Sequence, residues 1–137
     1  MNHLKIFAIV LPVFLLLDFF WLGVLMKGFY NTEIGELARR HSGALAPRWP
    51  AAILIYVLIP GGLVLFVNPL IGSNATIAEA FGWGAAFGLV LYGVFELTNY
   101  ALLDKWTLRM TLVDIAWGTV LCGISGIVMR TARSMFT

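Results

Sequence analysis

Thr111-Leu112-Val113-Asp114-Ile115-Ala116-Trp117-Gly118 sets an acid and an indole inside a stretch otherwise suited to lipid. An aspartate at the centre of a transmembrane helix costs about 2.5 to 3.5 kcal/mol on insertion scales, so it is expected to face protein or a wet cavity. Steps of four from Asp114 reach Gly118, Cys122 and Gly126, a small-residue stripe that a second helix backbone can approach closely. Asp114 therefore belongs to a packing face.

The rest of the chain fits a membrane setting. Of 137 residues, 61% are hydrophobic and 12% charged, and the mean hydropathy is +0.91, far too apolar for a soluble domain of this length. A single transmembrane domain over residues 1–137 is expected. The net charge of +2 is small and the basic residues are scattered, which leaves no phosphate-tracking stripe and excludes nucleic acid as a partner. One cysteine, Cys122, forms no disulfide within the chain and no multi-cysteine metal site. The apolar run after Lys5 continues past Asp18 to Met26 without a small-x-small cleavage pattern, so it reads as a retained helix.

Working outward from Asp114, the fourth span is expected over residues 109–129, closed by Arg130 and Arg133. The third, over 79–103, repeats the same pattern: Ala80, Gly84, Gly88, Tyr92, Glu96 and Tyr100 follow at intervals of four, with Asn99 one turn beyond Glu96. Thr76, three residues before Glu79, is a candidate helix cap. A second span over 50–67 carries Pro60-Gly61-Gly62, either a simple kink or a ligand-facing break. The first, over 5–26, holds Pro12, Asp18 and Trp21. The fold class is thus all-α, a four-helix membrane bundle, since about twenty residues at 1.5 Å each cross a hydrocarbon core of roughly 30 Å.

Between the first two spans, Tyr30, Ile34, Leu37 and His41 recur at helical spacing while Glu36 and Arg40 form an i,i+4 pair. An interfacial helix over 31–41 is expected, ended by Gly43 and Pro47, as a lid or as a segment resting on headgroups. Lys27, Arg39, Arg40, Arg48, Lys105 and Arg109 lie on one side of the bundle, against Lys5, Arg130 and Arg133 on the other. The positive-inside bias then makes the loops 27–49 and 104–109 cytoplasmic and the termini periplasmic.

This topology turns three acids toward the same two loops. At 1.5 Å per residue from the expected helix ends, Asp18, Glu96 and Asp114 lie about 12, 10 and 7 Å deep, in one layer. Three carboxylates in a low-dielectric layer do not all ionise comfortably, so at least one is expected to hold its proton and the group to titrate as a unit, fit for ligand binding or proton relay. Asp18, Glu96, Asn99 and Asp114 are the candidate site, lined by Trp21, Tyr92, Tyr100 and Trp117. The structural alternative is that each acid merely accepts hydrogen bonds from those aromatics or from Arg109. Three oxygen ligands would suit Mg or Ca, but no histidine joins them, so no metal is expected. No cofactor or hydrolase motif is present. Asp18-x-x-Trp21 and Asp114-x-x-Trp117 are alike, a faint sign of an internal repeat.

Phe19-Phe20-Trp21-Leu22-Gly23 after Asp18, Leu97-Thr98-Asn99-Tyr100-Ala101-Leu102 and above all residues 111–118 resemble the motifs of a family of small bacterial membrane proteins of unknown function. The resemblance covers nearly the whole chain. It implies a four-helix protein of the bacterial inner membrane and brings no activity, catalytic residue or ligand with it.

Three functions follow from these residues. The first is binding of an amphiphilic or lipophilic small molecule in the carboxylate-lined pocket and its movement across the bilayer, through a homodimer joined by the small-residue faces of the third and fourth spans. The second is an intramembrane acid/base enzyme acting on a lipid or isoprenoid, with a protonated acid donating and an ionised one accepting. The third is a non-catalytic accessory subunit.

Overall fold

A computed structural model describes residues 2–136. Its four long apolar helices, His3–Leu25, Trp49–Leu70, Ile77–Leu102 and Leu108–Ser134, are each long enough to cross a membrane. The first is α1 (His3–Phe20), which runs through Pro12 and ends in a π turn, Trp21–Leu25. There the Met26 amide reaches back five residues to the Trp21 carbonyl at 2.8 Å. The second is α3 (Trp49–Gly62), extended by a second π turn, Leu63–Val67, and a 3-10 turn, Asn68–Leu70. The Pro60-Gly61-Gly62 triplet leads into that π turn. The third and fourth are α4 (Ile77–Leu102) and α5 (Leu108–Ser134).

The interior is an α4–α5 pair with α1 laid against α5 and α3 packed chiefly on α1. In lipid no hydrophobic drive pulls apolar helices together, so close backbone approach through small residues has to do it. A Cβ built on Gly84 would sit 2.0 Å from the Cys122 carbonyl oxygen, and one on Gly88 would sit 2.3 Å from that of Gly118. The two small-residue stripes are therefore consumed against each other within the chain. On α1, Ile6, Val10, Phe14 and Asp18 form a buried stripe at steps of four. The three apolar ones join Leu63, Val64, Val67, Leu121 and Met129 in the core. Leu16, Leu58, Val90 and Phe95 point outward, the apolar belt that hydrocarbon requires.

Two boundaries differ from expectation. The fourth helix reaches Ser134 because Arg130 and Arg133 find partners beyond the apolar run. Arg130 Nε donates to the Ala75 carbonyl at 2.6 Å, and Arg133 donates to those of Asn68 (2.9 Å) and Ile71 (2.7 Å). Those arginines clamp the α3–α4 connection, whose far end is the expected capping box of Thr76 with Glu79.

The interfacial helix is shifted and shortened. In place of residues 31–41, α2 spans Lys27–Ile34 and stops at Gly35, whose φ of +54° with ψ of −124° suits glycine alone. A 3-10 turn and a two-stranded hairpin follow, β1 (Arg40–His41) against β2 (Ala44–Leu45), turned by Ser42 and Gly43 with φ of +52° and +81°. Positive φ at both positions is what a tight hairpin turn demands, so Gly43 makes a turn instead of ending a helix. The expected Glu36–Arg40 pair is absent: Glu36 pairs with Lys105, and the Arg40 guanidinium binds the Asn31 side chain and the Asn31, Gly35 and Gly43 carbonyls.

Candidate functional site: an acid and indole network inside the bundle

Asp18 continues the buried stripe of α1 and is 6% exposed. Such a carboxyl needs donors, and it has two: Tyr56 Oη at 2.6 Å from α3 and Trp117 Nε1 at 2.9 Å from α5. Asp114, on α5 one turn before Trp117, accepts from Tyr30 Oη at 2.9 Å, and that oxygen accepts from Trp21 Nε1 at 3.0 Å. Trp21 and Trp117 stack, with ring centroids 4.4 Å apart and planes 4° from parallel. Burial first, and then the Asp114 charge, hold the Tyr30 phenol above its ordinary ionisation range, which keeps the proton that Asp114 accepts on Tyr30.

Glu96, 2% exposed on α4, is near enough to Asp114 for the two carboxyls to interact. It accepts a hydrogen bond from Trp106 Nε1 at 2.7 Å, from the α4–α5 turn. The result is a chain of partners from Tyr56 through Asp18, the stacked indoles, Tyr30, Asp114 and Glu96 to Trp106. Arg109 stays outside it, 3.7 Å from Glu33 and over the Phe29 ring.

Beside this chain is a cavity of about 240 Å³. Asp18, Tyr56, Tyr92 and Asp114 give it four polar groups, and Leu22, Ala52, Ile55 and Ile59 complete its wall. Ile55 is half exposed, so the α3 side of the cavity borders the lipid-facing surface. No Lys, Arg or His lines it.

Of the residues singled out in the sequence, Asp18, Asp114 and Tyr92 line the cavity, while Glu96, Trp21 and Trp117 stand in the network behind it. Asn99 is half-buried one turn past Glu96. Tyr100, expected to line the site, is 44% exposed, on the same face as Glu96 but in the last turn of α4, past the buried layer. Among the described residues no three acidic, His or Cys side chains converge to hold a metal ion.

Three members were missed: Tyr30, Tyr56 and Trp106. Tyr56 carried a signal, being the sole hydrogen-bonding side chain between Pro50 and Val67. Trp106 falls in the loop expected over 104–109, and Tyr30 belongs to the amphipathic face expected between the first two spans.

The model of the family DUF2177, described as "Predicted membrane protein", matches residues 3–130. The chain belongs to that family. The DUF2177 match takes in the first three helices, the fourth as far as Arg130, both Asp-x-x-Trp motifs and every residue of the network. No curated protein and no solved structure matches the chain.

Proposed function

We propose that this chain binds an amphiphilic or lipophilic small molecule within the membrane, by a hydrogen-bond-donating group, and moves or presents it across the bilayer. The cavity carries this reading: two carboxyls from different helices and no cation in its wall favour a hydroxyl or ammonium over an anion. Its size supports an amphiphile, because about 240 Å³ falls below the roughly 300 to 1,000 Å³ of sites that enclose a drug-sized ligand. A head group fits while the remainder stays in lipid beside α3.

The test is mass spectrometry of molecules that copurify with the protein, beside Asp114→Asn. A compound retained by the unmodified protein and lost from the variant supports the reading; identical sets of bound molecules contradict it.

The nearness of Glu96 to Asp114 favours acid/base chemistry on such a molecule as a second reading, with one carboxyl donating and the other accepting a proton. New products in lipid extracts on expression, absent with Asp114→Asn, would select the enzyme over the carrier. For localisation we infer the bacterial inner membrane with loops 27–49 and 104–109 in the cytoplasm, from the excess of Lys and Arg there. An alkaline phosphatase fused after residue 137 is then active; a silent fusion reverses the orientation.

A further inference from the structure

A second concavity, of about 1150 Å³, lies on the loop side, between the end of the first span, α2 and the hairpin. Its walls are divided by chemistry. Phe19, Leu22 and Leu45 make one part apolar, Lys27 and Arg40 bring two cations, and no Asp or Glu lines it. The acids of the same segment are engaged elsewhere, Glu33 with Arg109 and Glu36 with Lys105. Neither Lys27 nor Arg40 has an ion pair among the described residues. The bonds from Arg40 to Asn31 and to the Gly35 and Gly43 carbonyls fix its guanidinium without neutralising it.

Position sharpens the charge argument. Phe19, 52% exposed, sits in the last turns of the first span, and Lys27 opens the helix that follows. The groove thus runs from hydrocarbon depth to headgroup depth, cation at the outer end and apolar wall at the inner. A free anion gains nothing from the apolar part, and an uncharged lipid nothing from the cations. We propose that this groove seats an acidic phospholipid, its phosphate at Lys27 and Arg40 and an acyl chain along Phe19 and Leu22. The proposal stands apart from the reading of the buried cavity.

The test uses the full chain reconstituted in phosphatidylcholine bilayers with trace spin-labelled phosphatidylglycerol or phosphatidylcholine. The motionally restricted fraction reports relative association with the protein. Phosphatidylglycerol is expected to be preferred, and Lys27→Gln to lower that preference roughly fivefold, the weight of one basic residue at an anionic surface. Lys27→Arg restores it, and Lys105→Gln, which removes the same charge outside the groove, leaves it intact. Equal association of the two lipids, equal losses in Lys27→Gln and Lys105→Gln, or displacement of the labelled lipid by inorganic phosphate would each overturn the proposal. Lys27 is exposed, so Lys27→Gln is expected to keep the thermal transition of the parent, and a shifted transition passes the comparison to Lys27→Arg against Lys105→Gln.

Discussion

Trp117 lies face to face with Trp21, and each indole serves the acid of the other helix, Trp117 directly at Asp18 and Trp21 through the Tyr30 hydroxyl at Asp114. Because α1 and α5 run antiparallel, an Asp-x-x-Trp on each brings indole beside indole and crosses the donors over. The likeness of the two motifs, read in the sequence as a repeat, has a physical reason in this exchange.

The two arms of the exchange are unequal. Trp117→Phe keeps an aromatic ring against Trp21 but takes one of two donors from a buried carboxyl, a loss of about 1.5 to 3 kcal/mol. Trp21→Phe removes a bond between neutral groups, about 0.5 to 1.5 kcal/mol. Unfolding of the two variants in matched micelles is expected to rank them in that order, and the reverse order would remove Asp18 as the more dependent acid.

Tyr30 supplies a pH dependence. Its phenol ionises at higher pH folded than unfolded, so the folded state holds that proton more tightly. The stabilisation is complete below the unfolded value of about 10 and is lost as pH rises through the folded value. The stability difference between the parent and Tyr30→Phe is therefore constant at neutral pH and shrinks above about pH 10. A difference that grows there contradicts the assigned partner.

Glycine substitutions separate contact from propensity. Gly84→Ala sets a Cβ against the Cys122 carbonyl and forces α4 from α5, at a cost of about 1 to 3 kcal/mol or more. Gly93→Ala, on the same helix with nothing within 4 Å of its Cβ, changes stability by no more than about 1 kcal/mol. Thermal transitions of the pair check this.

Arg133→Ala removes the guanidinium's hydrogen bonds to the Asn68 and Ile71 carbonyls. The α3–α4 connection is expected to become sensitive to protease between residues 68 and 76, with about 1.5 to 3 kcal/mol lost for the charged hydrogen bonds. Unchanged cleavage would show that the connection holds without its clamp.

Much of this architecture is legible from period and length. Apolar runs that match a bilayer gave four helices, and steps of four from Asp114 and Glu96 found the faces on which α4 and α5 meet. What those faces meet is a long-range fact: a glycine stripe reads the same whether its partner is the next helix or a second copy. The helix expected over 31–41 failed at one residue, because Gly35 at positive φ outweighs an apolar period that continues past it. Tyr30 is hidden for a related reason, since its acid partner Asp114 lies 84 residues on, and Trp106 because its indole folds back from the α4–α5 turn onto Glu96, ten residues before it.

The π turn at Trp21–Leu25 holds one residue more than the α-helical path would need, which rotates everything after it by about 100°. Excising a single amino acid between Trp21 and Met26 would straighten the ladder and still leave a helix long enough to span. Asp18 would stay where it is, while Tyr30 and the groove beyond would swing to another face. The angular phase between the two halves of this molecule is thus stored in its length, one residue deep.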